Sequence, residues 1–313
     1  MNSNEAIENI IFKNDYKLLS ESIQFLHEKY SSITGIAAGD MSTESYSNAA
    51  FGQVVSPIIA AHCLIDLERT RQFLRGIYLA INDQLQHKEQ VKILYAGCGP
   101  YATLITPLII LYHEKDLSIT LMDINATSLS VVKKLYNEEG LEGYIERYVE
   151  ADATIEGLNL HKTYDIIISE TMQAGLKKES QVALTKNLAK FLNKDGVFIP
   201  ERITLDVFAC GQLQDISDPL SEERMKLGTA YNFDSKNLPA PDEKIMLDIP
   251  DNEMTYLKLF TTIHVYASAI IKENQSGLTV PLVIDRWQDN SYKKLCFWYD
   301  EATDMELKFE YIL

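Results

Sequence analysis

Apolar and polar positions fall into three successive patterns along the chain. Up to about residue 88 they repeat with a helical period. Ser56-Pro57 joins a capping hydroxyl to a proline in the first turn, and Ile58, Cys63, Leu67, Phe73, Leu74, Ile77 and Ile81 then form an approximately helical stripe. From 89 to 200 strand and helix alternate. Residues 91–96, 117–122, 144–149 and 164–169 read as strands. The last is a short continuous apolar run, as expected of a parallel strand covered on both faces. One helix groups Leu129, Val132, Leu135 and Tyr136 on a single face; another carries Leu184, Leu188, Phe191 and Leu192, with Gly196 where it should end. From 201 onward strands are expected over 203–209, 258–271, 278–284, 294–299 and 306–312. Residues 211–255, acidic and rich in Asp, Pro and Asn, read as a long insertion with little specified structure. The pattern predicts an α/β fold: an N-terminal helical segment (1–88), a doubly wound, Rossmann-like parallel sheet (89–200) and a C-terminal antiparallel β domain (201–313).

Composition narrows the function classes. With 313 residues, 46% of them hydrophobic, the chain can bury a core, so disorder is excluded as its main state. Lys and Arg number 29 against 45 Asp and Glu, a net charge of −16. Such a surface repels phosphate backbones, so no nucleic-acid partner is expected; a cleft of the same sign would gather cations. Cys63, Cys98, Cys210 and Cys296 lie far apart and form no Cys-x-x-Cys pair, which argues against a zinc ribbon and a disulfide scaffold and for four buried free thiols. No metal site is expected. The polar, acidic start is not a signal peptide, and the longest apolar stretch, about 103–112, is too short to cross a bilayer. A soluble, cytoplasmic protein without a membrane partner is expected.

The candidate chemistry begins after the first strand. Gly97-x-Gly99 sits between strand and helix, where glycine lets the backbone approach a ligand closely. Asp123 ends the second strand, where a carboxylate can hold ribose hydroxyls, and Asp152 follows the third, where it can accept from an exocyclic amine. There is no Gly-x-x-x-x-Gly-Lys-Ser/Thr phosphate loop, and the dinucleotide pattern is incomplete. A glycine turn and two acids at successive strand ends resemble the class I methyltransferases that use S-adenosylmethionine. That resemblance implies S-adenosylmethionine as cofactor, with Gly97, Gly99, Asp123 and Asp152 around it. Two positions depart from the family pattern: Tyr95 stands where an acid often precedes the first glycine, and Tyr101 replaces the third glycine. Tyr101 is a candidate cofactor residue that either covers the methionine end or blocks it.

The segment 164–179 is more specific. Asp-Ile-Ile-Ile-Ser-Glu170-x-Met172, then Leu176 and Glu179, resembles the double-glutamate hairpin of the protein arginine methyltransferases, including the nine positions between the two acids. Gly196-Val-Phe-Ile-Pro200-Glu-Arg202-Ile-Thr-Leu205 resembles that family's crossing into its β-barrel, and Asp66-Leu-Glu-Arg69-Thr70 its Asp-x-x-Arg-Thr element. The resemblance covers roughly residues 45–210. It implies that Arg69 holds the cofactor carboxylate through a forked pair and that Glu170 and Glu179 are catalytic, holding a guanidinium and leaving electron density on its attacking nitrogen. The expected substrate is a cationic guanidine or amine, in a peptide or a small molecule. The family's Thr-His-Trp loop has no clean match; Asp285-Arg286-Trp287 comes nearest. The dimerisation arm has no identifiable counterpart either, which leaves a homodimer open. His264 reads as a satisfied strand residue. Two other functions compete: methyl transfer to a carboxylate, carbon or oxygen of a small metabolite, and a non-catalytic module that binds S-adenosylmethionine.

Overall fold

A computed structural model describes residues 1–37, 47–48, 50–160, 163–178, 180–211, 222–240, 243–249, 256–286, 292–301 and 305–313. The chain opens with helices α1 (Ser3–Phe12) and α2 (Tyr16–Thr34), each started by a side-chain cap. Asn2 accepts from the Glu5 amide, and Asp15 from those of Lys17 and Leu18. A two-residue pairing, β1 (Ser47–Asn48) with β2 (Gln53–Val54), leads into α3 (Pro57–His62), a 3₁₀ turn (Cys63–Ile65) and α4 (Leu67–Leu85). The apolar stripe that predicts one helix from Ser56 is thus divided. Asp66 is extended, with φ −75° and ψ 99°, and its carboxylate accepts from the Arg69 amide, so a new helix starts there. Phe73, Leu74, Ile77 and Ile81 form the buried face of α4, whereas Ile58 and Leu67 are only partly covered.

The central sheet has five parallel strands: β3 (Val91–Ala96), β4 (Leu117–Asp123), β5 (Ile145–Glu150), β6 (Tyr164–Ser169) and β7 (Leu192–Ile199). Their order is β5-β4-β3-β6-β7. The chain reverses its winding between β3 and β6, and ligands of open α/β sheets bind outside the carboxyl ends of strands at such a switch. Every residue of β6 is buried, with Ile166, Ile167 and Ile168 at its centre and Asp165 and Ser169 as buried polar positions. Helices α5 (Thr106–Ile109), α6 (Ala126–Glu139) and α7 (Gln181–Leu188) lie in the connections, and Leu129, Val132, Leu135 and Tyr136 form the buried face of α6. Gly196 does not end a helix. It lies within β7, as does Leu192; the helical pattern stops at a 3₁₀ turn (Ala189–Phe191).

Beyond β7 the pairings among the described residues are antiparallel. Strands β8 (Arg202–Cys210), β9 (Arg224–Asp234), β11 (Tyr256–Tyr266), β12 (Ala269–Ile271) and β13 (Leu282–Arg286) build one sheet. Strands β10 (Ile245–Asp248), β14 (Lys294–Asp300) and β15 (Glu306–Ile312) build another. Two expectations are corrected here. The stretch 258–271 is a hairpin, turning at Ala267 with φ 49°, and the supposed insertion contains β9 and β10. Among the described residues, no helix is long and apolar enough to cross a membrane.

Helix α4 ties the antiparallel region to the rest. A Cβ on Gly76 would stand 2.6 Å from Val265 Cγ1, so glycine there lets α4 lie directly on β11. Nearby, Tyr266 donates to Asp83 at 2.8 Å. At the other end of α4, Asp66 accepts from Ser276 Oγ at 2.6 Å and from the Gly277 amide at 3.1 Å.

One buried acid anchors the sheet edge away from the site. Asp165, 3% exposed, accepts from Lys88, from the Lys92 amide at 2.8 Å and from Asn193 at 2.6 Å. Burial pushes its carboxyl up, but those donors outweigh burial and hold it below the usual carboxylate value. Asp165→Ala should therefore cost about 2–3 kcal/mol in urea unfolding at neutral pH. The charge-dependent part of that contribution is fully present above the unfolded-state value of about 3.9 and is lost as the pH falls through the lower native value, so the gap between variant and wild type should narrow in acid.

Candidate functional site

A cleft of about 470 Å³ opens at the carboxyl ends of β3, β4, β5 and β6. The glycine turn forms its floor. Gly97 and Gly99 have φ of 72° and 65°, the left-handed region that suits glycine. A Cβ on Gly97 would stand only 2.5 Å from Thr171 Cγ2. The Gly99 amide donates to Asp123 Oδ2 at 2.8 Å, and the Asn125 amide to Oδ1 at 2.8 Å. Asp123 is 7% exposed; burial pushes its carboxyl up, and the amides of Asn125, Gly99 and Ile124 oppose that rise without cancelling it.

Asp152 lines the same cleft, and both its oxygens are engaged. Oδ1 accepts from the Thr154 amide at 2.9 Å and its hydroxyl at 2.6 Å, and Oδ2 from the Ala50 amide at 2.9 Å. The Ala50 bond draws the segment before α3 over the cleft, where Gln53, Val54 and Val55 form a wall. Gly277 and Leu278, from the antiparallel region, form part of the rim.

The centre of the cleft is an ion pair. Arg69, on the first turn of α4, pairs through Nη2 with Oε2 of Glu170, which directly follows β6. Their side chains are 12% and 2% exposed. Arg69 Nε and Glu170 Oε1 are buried without a hydrogen-bond partner, as is Ser169 Oγ. Buried polar atoms rarely stay unpaired, so three orphans in or beside one cleft mark a place built for a polar ligand. The segment after Glu170 is held from several directions. Thr171 donates to Gln181 Oε1 at 2.9 Å, the Gly175 amide to Thr261 Oγ1 at 3.1 Å, and Tyr299 OH to Leu176 O at 2.9 Å. The Lys178 amide donates to Met305 O at 3.0 Å, while Lys178 O accepts from the Gln53 amide at 2.7 Å.

The structure thus brings Arg69, Gly97, Gly99, Asp123, Asp152 and Glu170 to one cleft. Tyr101 lies elsewhere. It is fully buried, donates its hydroxyl to Ile36 O and packs on Tyr30, with ring centroids 5.7 Å apart. It neither covers nor blocks the cleft, because its ring fills the space between the glycine turn and the N-terminal helices. Glu179 lies outside the described residues, as does Trp287. Arg286 is exposed over the Tyr256 ring, and Asp285 accepts from Tyr311 OH at 2.9 Å; neither lines the cleft. Cys63, expected to be buried, is half-buried at the cleft wall. The roles of Thr171, Gln181 and the 276–278 turn escape sequence reasoning, since each acts through a partner distant in the chain; Asp66 alone carried a local signal, as a cap before α4.

No family model and no curated protein matches the chain. Its fold does match solved structures. The PRMT1 enzyme-prozyme heterotetrameric complex of Trypanosoma brucei with AdoHcy aligns with a TM-score of 0.54 at 14% identity, over 76% of this chain and 86% of that one. Protein arginine methyltransferase 10 of Arabidopsis thaliana, in an open conformation, aligns with a TM-score of 0.53 at 11% identity, over 81% of this chain and 97% of that one. The chain therefore has the fold of the protein arginine methyltransferases: a Rossmann-like parallel sheet followed by an antiparallel, barrel-like region.

The glycine turn yields a stability test. Gly97→Ala combines an unfavourable φ with the Thr171 contact and should destabilise the protein by about 1–3 kcal/mol. Thr171→Ser removes the methyl that the new Cβ would meet. Combined with Gly97→Ala, it should recover part of that loss and leave the φ penalty, a coupling measurable in a double-mutant cycle of thermal unfolding.

Proposed function

We propose that this protein is an S-adenosylmethionine-dependent methyltransferase whose acceptor is the nitrogen of a guanidine or amine, in a peptide or a small molecule. The observation that carries this reading is the Arg69–Glu170 pair: a guanidinium already sits on one oxygen of Glu170, and the other oxygen is buried without a partner. A carboxylate so placed suits a planar cation, which can donate from two nitrogens at once. The likeness in fold to arginine methyltransferases agrees with it.

The cleft residues fit the cofactor. Arg69, with its orphaned Nε, would take the carboxylate; Gly97 and Gly99 would let the backbone come close; Asp123 would hold the ribose hydroxyls; and Asp152 would accept from the exocyclic amine, a carboxylate having room for a further donor on each oxygen. When bound, the cofactor supplies a methyl group activated by a sulfonium. The protein's own contribution is to hold and orient the acceptor. Glu170 draws the positive charge of a guanidinium toward the nitrogens it touches, leaving density on the nitrogen that attacks, and fixes that nitrogen's direction. Glu179 is proposed as the second acid of the clamp. The negative surface favours a cationic acceptor through long-range attraction, which salt weakens. A soluble, cytoplasmic setting and self-association as a homodimer complete the proposal.

Arg69 has two calls on it, the Glu170 carboxylate and that of the cofactor, and this sets the signs of the tests. Arg69→Ala should weaken AdoHcy binding about ten- to a hundredfold in calorimetry, the size of one lost charge-assisted bond. Glu170→Gln should leave AdoHcy affinity equal or higher, because it removes the competitor for Arg69, while abolishing methylation of guanidines and amines by labelled S-adenosylmethionine. Strong methylation of a carboxylate or neutral carbon, with none on nitrogen, would overturn the acceptor assignment. Turnover unaffected by Glu170→Gln would remove Glu170 from the chemistry.

A further inference from the structure

A second cavity, of about 300 Å³, lies where β7 gives way to β8. Val197 and Phe198 of β7 form its apolar side. Its polar side is made by Glu201, Arg202 of β8, Asp234 and Lys236 at the end of β9, and His264 of β11. None of these residues lines the cleft described above.

Arg202 has an unusual partner. Its Nη2 lies 3.1 Å from His264 Nε2 and 3.3 Å from Nδ1, so the guanidinium meets an imidazole instead of a carboxylate. The two are cross-strand neighbours in the β8–β11 pairing. On its other side Arg202 is in register with Asp234. That carboxylate, however, accepts from the Lys236 amide at 2.7 Å and from Asn237 Nδ2 at 3.4 Å. Glu201 accepts from the Ala267 amide at 3.2 Å. Both acids therefore have donors of their own, whereas Arg202 Nε is buried without an acceptor. A guanidinium stays charged at any working pH, and its buried N–H groups call for an oxygen.

We propose that this cavity binds a phosphate-type oxyanion, held by Arg202 with His264 and Lys236 as further donors. His264 decides when it can do so. Neutral imidazole has one N–H donor and one lone pair that faces an anion unfavourably, whereas imidazolium offers two donors and a positive charge. With His264 neutral, Arg202 and Lys236 balance Glu201 and Asp234; protonation makes the site net positive. Burial first, and the charge of Arg202 second, push the imidazole below its ordinary value. A bound dianion opposes the second of these. From β12 the residue facing His264 in register is the apolar Ile270, so no further charge enters from that strand. Anion and proton are taken up together, and binding tightens as the pH falls. This uptake is independent of the chemistry in the large cleft.

Sulfate is the probe of choice, since it keeps both charges across the range in which histidine titrates. The full chain is titrated with sodium sulfate in a calorimeter, with chloride at matched ionic strength as control, at about pH 5.5 and about pH 7.5. Saturable binding about tenfold or more tighter at the lower pH is expected. Arg202→Gln should weaken it about tenfold or more. In His264→Gln, the proton uptake read from the dependence of the heat on buffer should vanish. Lys236→Gln, a change on an exposed side chain, should weaken binding severalfold without disturbing the fold. Inorganic phosphate and the phosphate of a larger molecule share this chemistry. Equal affinity for phosphate and phenyl phosphate would assign the free ion, and tighter binding of the ester would assign an organic phosphate. Heats equal to the chloride control at both pH values, or sulfate affinity unmoved by all three substitutions, would overturn the proposal.

Discussion

The side chain of Asp66 holds the two ends of the molecule in register. One oxygen caps α4 and so fixes the turn on which Arg69 stands. The other takes a hydroxyl and an amide from residues 276 and 277, more than two hundred positions away. A carboxylate shared between a helix start and a distant turn sets Arg69 and the antiparallel rim at a defined separation. The close packing of Gly76 on Val265 fixes the other end of the same helix. The cleft is thus framed by one helix pinned at both ends, with the parallel sheet supplying its floor.

Within that frame, charge is arranged by neighbours more than by residue type. Asp123 and Asp152 spend much of their acceptor capacity on backbone amides of the glycine turn and of the segment before α3. Glu170 keeps one oxygen unused and the other on a cation. Three acids at neighbouring strand ends therefore do different things. The first two are also held by the protein's own donors and so stiffen the walls they belong to, whereas the last keeps one oxygen without any donor from the protein.

What could be read in the sequence follows the same division. Strands β3, β4 and β6 are legible because burial on both faces demands mostly apolar stretches, and α6 because one face carries its apolar residues. The strand ends brought Gly97, Asp123 and Glu170 together for the same reason: parallel strands in register put their termini on one edge. Strand β9 was illegible. Its inward residues are interrupted by Gly228, near two shifts in pairing with β8, and acidic segments flank it. The place of Tyr101 is not legible, because it is set by Tyr30 and Ile36, which no local pattern links to the glycine turn. Nor is the place of Gly196 legible, because a glycine in a strand and a glycine after a helix look alike from sequence alone.

The segment from Gly175 to Lys178 carries positive φ angles of 70°, 54° and 60° at Gly175, Leu176 and Lys178. Two of these residues are not glycine, and such backbone persists only where its surroundings over-determine it. Here the fixing contacts come from Gln53, Thr261, Tyr299 and Met305. The contorted stretch beside the central acid thus depends on strands far along the sequence from it. During folding, the parallel sheet and its glycine turn can mature from nearby sequence, whereas this stretch must wait for closure of a loop of more than a hundred residues. A chain in which those long-range contacts have not yet formed therefore presents the floor of the cleft without this wall.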